Sequence, residues 1–371
     1  MKILGIIAEY NPLHNGHIHH LNEAMKIKPD LVIAVITSTF NSRGEISLLS
    51  SKEKTSLLLN NNVDIIVELP FILGVQSADL FAYHSVKVLN NFNVTNIVSG
   101  SEDNNIDYIK QLDTTSKSKE YNNLIANYLK DGLSYKQSSN KAFETLGITI
   151  PNSNDMLNWK YYSSIQDINS NIELSFVKRE KSNYLDKSQN DNTICSATSI
   201  RETKNYVNYV PSSVKEILDT KGILTHDNLD KYLVYKRDSS TKLNDIYFMD
   251  EGLDNAFLKS NELSFNNIAS ELTSTRYTTS RIRRALLQIL FNITKDEANS
   301  SLKEFYPRVI GFNTKGQSYL NSIKKEKEFF TNLKSNINTT YDIEIRILKT
   351  LSNIYGIDYF KENQLLPIIK K

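Results

Sequence analysis

The sequence has a single cysteine, Cys195, among 371 residues, and its formal net charge at pH 7 is only +2. One cysteine excludes an internal disulfide framework and suits a reducing cytoplasm. Because the charge is nearly balanced, any attraction to nucleic acid must come from a local basic patch. The chain also lacks an apolar run of about 18 residues, which excludes a membrane-spanning helix. Met1 leads directly into a predicted strand without a signal peptide, so we expect a soluble cytoplasmic protein.

Apolar runs and helix-like segments alternate in the first half of the chain, whose total length suits two or three domains. The runs predict strands at Ile3–Ala8, Leu31–Thr37, Asp64–Leu69, Thr95–Ser99 and Glu173–Lys178. Helices are predicted between them near Ile18–Lys28, Lys52–Asn61 and Ala78–Asn91. Strands that are apolar throughout and alternate with helices predict an α/β fold with a doubly wound parallel sheet, covered on both faces.

From about Tyr206 the strand-like runs give way to helical patterns. Examples are Val214–Leu218, Leu253–Leu258, Ile282–Phe291 and Ile343–Leu351. We therefore predict an N-terminal α/β domain over residues 1–205, with a helical insertion at 104–150. A C-terminal helical domain is predicted over residues 206–371.

The first candidate site follows the first predicted strand, where Asn11-Pro12 breaks the run and a helix is predicted to begin at His14-Asn15-Gly16-His17. A helix N-terminus at this point presents backbone N–H groups and a positive dipole end, which favour phosphate. A side chain at Gly16 would obstruct close approach of a nucleotide. His14 and His17 are three residues apart, so both rings can face one ligand and donate to phosphoryl oxygens during adenylyl transfer. A surface turn that happens to contain histidine is the alternative.

The second candidate site is Ser196-Ala197-Thr198-Ser199-Ile200-Arg201. Small hydroxyl residues that open a helix can cap it and bind phosphate through Oγ and N–H together. Arg201, about one turn later, adds a fixed positive charge suited to a leaving pyrophosphate. Alone, such a stretch is typical of a capped helix, but its combination with the paired histidines favours a phosphate site. Cys195, directly before it, is interpreted as a small buried thiol rather than a nucleophile.

A third feature is a basic cluster of Arg276, Arg281, Arg283 and Arg284, with Lys315 nearby in sequence. The spacing of three places Arg281 beside Arg284 on a helix. Arginine pairs with phosphate through two parallel hydrogen bonds, and the adjacent Tyr277 can stack on an unpaired base. From these residues alone, RNA contact and a solvated charged face both remain open.

The His-x-Gly-His loop with the later Ser-x-Thr-x-x-Arg resembles the HxGH nucleotidyltransferase superfamily. Six further segments, in order along nearly the whole chain, look like the tRNA(Met) cytidine acetate ligase family. They are Gly5–Pro12, Arg43–Glu45, Val67–Phe71, Gly100–Glu102, Arg276–Arg284 and Arg308–Asn313. The resemblance is weakest across residues 104–150 and 210–270.

This resemblance implies a nucleotidyltransferase-like, ATP-binding catalytic domain at 1–205 and a tRNA-binding domain at 206–371. It implies a ligase that uses ATP, with Mg²⁺, to activate acetate as acetyl-adenylate. The acetyl group would then pass to N4 of the wobble cytidine of elongator tRNA(Met). No metal site built from protein side chains is predicted, because no second cluster of ligand residues accompanies the histidines.

The resemblance and the two motifs together assign candidate residues. His14, His17 and Arg201 are the predicted catalytic residues, and Arg276, Arg281, Arg283 and Arg284 are the predicted RNA contacts. The predicted ATP contacts are Ile7, Ala8, Glu9, Tyr10, Asn11, Pro12, Leu13, His14, Asn15, Gly16, His17, Ile18, His19, His20, Gly100, Asn154, Arg179, Ser196 and Thr198.

Two segments depart from the family pattern, and one of them reads Ser153-Asn154-Asp155 where the family has Pro-Asn-Asn. Where the family typically carries Asp-Lys-Trp-x-Arg, this chain reads Leu49-Ser50-Ser51-Lys52-Glu53-Lys54. Any affinity for phosphate or RNA there is expected either to be weakened or to be carried by Lys52 and Lys54.

Two other functions remain open from the residues. An adenylyltransferase for a small phosphorylated cofactor precursor would not need a large helical region with arginine clusters. A non-catalytic RNA-binding protein with a nucleotide fold would not need His14, Gly16, His17 and Arg201 intact. An aminoacyl-tRNA synthetase is disfavoured, because no Lys-Met-Ser-Lys-Ser-like loop follows the predicted sheet.

Overall fold

The sheet of the computed structural model has seven strands within the residues that it describes, 1–178, 195–334, 337–363 and 366–371. The strands are β1 (Ile3–Ala8), β2 (Leu31–Thr37), β3 (Ile65–Leu69), β4 (Asn96–Ser101), β5 (Glu173–Lys178), β6 (Arg308–Asn313) and β7 (Ile368–Lys370). Their order is β5-β4-β1-β2-β3-β6-β7. Among the pairs that these seven strands form, only β3–β6 is antiparallel. The predicted α/β fold with a doubly wound parallel sheet is therefore confirmed, with β6 as an antiparallel addition.

Helices of the first half lie between these strands and in one inserted group. They are α1 (Asn15–Met25), α2 (Ser51–Asn60), α3 (Phe71–Gly74), α4 (Ala78–Asn91), α5 (Ile106–Ser116), α6 (Lys119–Lys130), α7 (Tyr135–Thr145) and α8 (Ser153–Asp167). Helices α5 to α7 occupy the predicted insertion, and they pack with Trp159 of α8 in a separate hydrophobic cluster around Phe143.

Two strands are displaced slightly from their predicted bounds because polar residues at their starts serve as anchors. The Asp64 carboxylate accepts from the Val32 N–H at 2.8 Å and from the Asn313 amide at 2.8 Å, so β3 begins one residue later. The Thr95 Oγ1 accepts from the Ile3 N–H at 2.9 Å, so β4 begins at Asn96 and runs to Ser101.

The second half is mostly helical. Its helices are α9 (Ala197–Thr203), α10 (Ser212–Lys221), α11 (Asp230–Ser239), α12 (Leu253–Lys259), α13 (Phe265–Glu271), α14 (Thr279–Phe291), α15 (Lys295–Lys303), α16 (Thr314–Ile323), α17 (Thr339–Tyr355) and α18 (Tyr359–Glu362), with a 3₁₀ turn at His226–Leu229. No helix in the described part of the chain is long and apolar enough to cross a membrane.

The described part of residues 206–371 is mostly helical, as predicted, and it also contains two strands, β6 and β7, that the sequence patterns did not predict. Strand β6 is almost entirely buried and pairs with β3, so it covers an edge of the N-terminal sheet that would otherwise expose unpaired backbone groups. The C-terminal segment thus shares a sheet with residues 1–205. The division at residue 205 stays a prediction.

Side chains on the two faces of the sheet form two separate cores. On one face, Leu4 and Ile6 of β1 pack with Leu21 of α1 and Ile200 of α9. On the other face, Ile3 packs in a core that includes side chains of α4, α8, α14 and α17. This arrangement leaves the carboxyl ends of the strands open between the two helical layers, where α/β sheets bind ligands.

Candidate active site

A cavity of about 550 Å³ lies at the carboxyl ends of β1, β4 and β5. Most of the predicted ATP contacts and one predicted catalytic arginine line it together. These are Ile7, Ala8, Glu9, Tyr10, Asn11, His14, Gly16, His17, His19, His20, Gly100, Asn154, Ser196, Thr198 and Arg201. The volume suits a nucleotide-sized ligand.

The paired histidines stack at the start of α1. Their ring centroids are 3.7 Å apart with an interplanar angle of 22°, and the Tyr10 ring lies edge-on to His17 at 5.0 Å. The backbone N–H of His14 donates to Nδ1 of His17 at 3.2 Å. Because Nδ1 accepts, the proton of a neutral His17 ring lies on Nε2. His17 can therefore donate from Nε2 to an oxygen in the cavity.

Arg201 is held in place by three groups from different parts of the chain. Its Nη2 lies 2.6 Å from a Glu45 carboxylate oxygen and 3.2 Å from Thr198 Oγ1, and its Nη1 donates to the Asn11 carbonyl at 2.5 Å. Burial lowers the pKa of Arg201, whereas Glu45 raises it. The guanidinium is thus a fixed positive charge at the cavity wall, as its predicted role requires.

Ser196 and Thr198 lie on the same side of the cavity. The Ser196 Oγ accepts from the Ser199 N–H at 3.1 Å and caps α9, as the sequence indicated. Thr198 Oγ1 accepts from both Arg201 and the exposed Arg43, the latter at 3.4 Å. Arg43 was not predicted as a site residue, although it stands in a segment that carried the family resemblance.

Asn154 and Asp155 both contact the segment at the end of β4, but they have different roles. Asn154 lines the cavity and hydrogen-bonds to Glu102. Asp155 is buried and accepts from the Ser101 hydroxyl and the Asp103 N–H, so it fixes the loop. The Gly100 carbonyl accepts from the Asn158 amide at 3.0 Å, which holds the end of β4.

Of the five remaining predicted ATP contacts, the four that the structure describes do not line the cavity. Leu13 is buried in the core beneath α1, Ile18 packs against that core, and Pro12 is also buried. The Asn15 N–H donates to the Tyr209 carbonyl at 2.8 Å. Arg179 lies outside the described residues.

The four arginines of the predicted basic cluster have different partners, although Arg281 and Arg284 both lie over the Phe248 ring. Arg276 is exposed and pairs with Glu251 at 2.7 Å, whereas Arg283 lies 3.6 Å from Glu45. Arg281 lies over the Phe248 ring at 4.2 Å, and Arg284 lines the cavity. Lys315 pairs with Asp64 at the amino end of β3, on the opposite edge of the sheet.

Two further expectations are corrected. Lys54 is buried and donates from Nζ to the carbonyls of Thr37 at 3.0 Å and Ser38 at 3.3 Å, so it cannot contact RNA. Burial lowers the pKa of Lys54 to about 7. Lys52 is exposed. Cys195 is half-buried and lines the cavity, rather than being a buried thiol.

The fold and the paired histidines define a nucleotidyl transferase, and the model of the HIGH Nucleotidyl Transferase family matches residues 1–364. The tRNA(Met) cytidine acetate ligase of Fusobacterium nucleatum is 36% identical, over 100% of this chain and 99% of the relative. That of Thermosipho africanus is 35% identical, over 88% of this chain and 83% of the relative. The chain belongs to the tRNA(Met) cytidine acetate ligase family.

Solved structures agree with this assignment. The crystal structure of Thermotoga maritima TmcAL bound with alpha-thio ATP matches with a TM-score of 0.86 and 26% sequence identity, over 100% of both chains. The apo form of the same protein also matches with a TM-score of 0.86, at 27% identity.

Proposed function

We propose that the protein is an ATP-dependent ligase that acetylates N4 of the wobble cytidine of elongator tRNA(Met), with acetate as the acetyl source. The observation that carries this proposal is that the stacked His14–His17 pair and the fixed Arg201 line one strand-end cavity, in a chain from this family. The names of the relatives supply the tRNA, the cytidine and the acetate. The ATP analogue bound by the Thermotoga protein supports the nucleotide.

The first step would activate the carboxylate, since acetate itself resists nucleophilic attack. An acetate oxygen would attack the α-phosphorus of ATP, the bond from that phosphorus to the bridging oxygen would break, and pyrophosphate would leave. Negative charge grows on the phosphoryl oxygens during this step. The Nε2–H of His17 and the guanidinium of Arg201 are suited to stabilise it, because both are oriented before the reaction begins.

The second step would transfer the acetyl group. The cytidine N4 amine would attack the acetyl carbonyl, lose a proton, and expel AMP. No covalent enzyme intermediate is required. Cys195 therefore needs no nucleophilic role, although it lines the cavity.

Mg²⁺ would accompany ATP and neutralise charge on the phosphates. Among the described residues, no group of three or more His, Cys, Asp or Glu side chains is placed to hold a metal ion. The described carboxylate that lines the cavity, Glu9, accepts from the Ser42 N–H at 2.6 Å. We therefore expect the phosphate oxygens to supply most ligands of the ion.

The RNA would approach beside α14. Tyr277 is half-buried, its hydroxyl donates to Glu251 at 2.8 Å, and the Arg281 guanidinium lies 6.0 Å from its ring centroid. Aromatic rings and arginine planes of this kind bind unstacked bases. Exposed Arg276 adds a charge suited to a phosphate of the anticodon loop.

The test is incorporation of radiolabelled acetate into elongator tRNA(Met) with Mg-ATP, followed by nuclease digestion and chromatography of the nucleosides. We expect label in N4-acetylcytidine that is lost without ATP. A transcript with uridine at the wobble position is the matched control and should remain unlabelled. If the protein binds ATP but the tRNA remains unlabelled, tRNA(Met) is not the acceptor, and an adenylyltransferase that acts on a small substrate is favoured.

A further inference from the structure

The cavity extends over the end of β1 to the face of the sheet away from α1 and α9. Its wall on that side contains Ala78 and Phe81 of α4, Tyr161 of α8, and Arg284 of α14. Phe81 and Tyr161 belong to the core on that face, whereas the core beneath α1 and α9 contains Leu21 and Ile200. The groups proposed to contact phosphate, His14, His17 and Arg201, and this second wall therefore lie on opposite sides of one cavity.

Arg284 is the arginine of this second wall. Its Nη1 donates to the Ser42 carbonyl at 3.2 Å, and its Nε is buried without a hydrogen-bond partner. No carboxylate of the described residues lies within ion-pair distance of it, whereas Arg201 and Arg283 both face Glu45. Burial and the neighbouring Arg281 lower the pKa of Arg284 to about 10. A half-buried cation without a counter-charge is costly, so the position favours an anion.

The surroundings of Arg284 suit a small carboxylate better than a phosphodiester. The arginine lines the cavity and is half-buried, and Ala78 and Phe81 provide apolar surface on the same wall. A planar guanidinium binds a carboxylate through two parallel hydrogen bonds, which leaves a methyl group to pack against apolar side chains.

We infer that Arg284 holds the carboxylate of acetate in this second part of the cavity, with its methyl group against Ala78 and Phe81. The inference rests on the proposed function and changes one predicted role, because Arg284 then binds a substrate carboxylate rather than RNA. It orients an acetate oxygen toward the phosphates that His17 and Arg201 face.

The test compares the KM values for acetate, ATP and tRNA in wild type, Arg284→Gln and Arg284→Lys. Arg284→Gln should raise the acetate KM by about ten- to a hundredfold, the range for a lost charged hydrogen-bond pair. The KM values for ATP and tRNA should stay within about threefold of wild type, a smaller change than the loss of one hydrogen bond would cause. Retention of these values also shows that the variant folds. Arg284→Lys keeps the charge but not the two parallel hydrogen-bond donors of the guanidinium, so its acetate KM should lie between those of wild type and Arg284→Gln. Lys315→Gln, on the opposite edge of the sheet, is the matched control and should change none of the three.

An unchanged acetate KM in Arg284→Gln overturns the inference. If the tRNA KM rises instead, Arg284 contacts an RNA phosphate. Failure of the proposed function is distinguishable, because the wild-type protein would then form no acetylcytidine at any acetate concentration.

Discussion

The Glu45 carboxylate lies 2.6 Å from Nη2 of Arg201, although 156 positions separate the two residues in the chain. Glu45 stands in the loop after β2, where the Asn41 amide donates to it at 2.7 Å. Its second oxygen lies 3.6 Å from Arg283 of α14. One carboxylate thus connects the β2 loop, the arginine at the phosphate side of the cavity, and the C-terminal helices.

Replacing this carboxylate tests its positioning role. Glu45→Gln should lower kcat for tRNA acetylation by about tenfold, because Arg201 loses the charged hydrogen bond that orients it. The KM for acetate should change little, since Glu45 does not line the cavity. Steady-state kinetics measure both. Asp219→Asn removes a surface ion pair with Lys215 and serves as the control. Equal kinetics in the two variants would contradict a positioning role for Glu45.

The paired histidines give a second prediction. His17→Ala should reduce acetylation by about a hundredfold or more, the effect of removing one donor to a developing oxyanion. Binding of tRNA and the circular dichroism spectrum should be retained, because the ring lines a cavity and not a core. Unchanged turnover in a folded His17→Ala protein would contradict the phosphate contact.

RNA binding should depend on the exposed part of the basic cluster. Arg276→Ala should weaken tRNA binding and reduce the slope of log Kd against log salt concentration by about one, as expected for one lost phosphate contact. Affinity for ATP should not change. Filter binding over a salt series measures the slope. An unaltered slope would mean that Arg276 is a solvated charge.

Stability should rise with pH in part because of His226. This ring stacks on Phe265, its Nε2 lies 3.0 Å from the Gly44 carbonyl, and burial lowers its pKa to about 4. Between this value and the ordinary histidine pKa, the unfolded chain binds more protons than the folded one. The free energy of unfolding should therefore increase with pH across that window, by up to about 1.4 kcal/mol per unit from this group.

Urea unfolding of wild type and His226→Gln between pH 4 and 6.5 would check this. The difference in unfolding free energy between the two proteins should grow with pH. A constant difference would contradict the lowered pKa, while contributions of other groups cancel in the comparison.

Local sequence patterns predicted the central sheet and the site motifs because they depend on short-range rules. The β1 apolar run, the turn after it and the cap at Ser196 are of this kind. The errors concern long-range pairing. Lys54 is buried beneath the carbonyls that end β2, and β6 pairs with a strand some 240 residues earlier, as the Arg308–Glu68 ion pair shows. Neither partner is visible from the residues beside it.

The candidate site divides in the same way. The spacing of three residues correctly predicted that the His14 and His17 rings lie together. Neighbouring arginines of α14, by contrast, point in different directions. Arg283 turns to Glu45 and Arg284 turns into the cavity. Which direction each takes depends on the β2 loop, where Gly44 has a φ of +77° and a Cβ there would lie 3.1 Å from Arg283. That close approach is a tertiary feature.

In the proposed mechanism, acetate attacks the α-phosphorus of ATP within this cavity. Acetate labelled with ¹⁸O in both oxygens tests it directly, by mass spectrometry of the nucleotide products after acetylation of elongator tRNA(Met). We expect one ¹⁸O atom in each AMP released, because the bridging oxygen of acetyl-adenylate leaves with the phosphate. Unlabelled AMP, or ¹⁸O in inorganic phosphate or pyrophosphate, would contradict it.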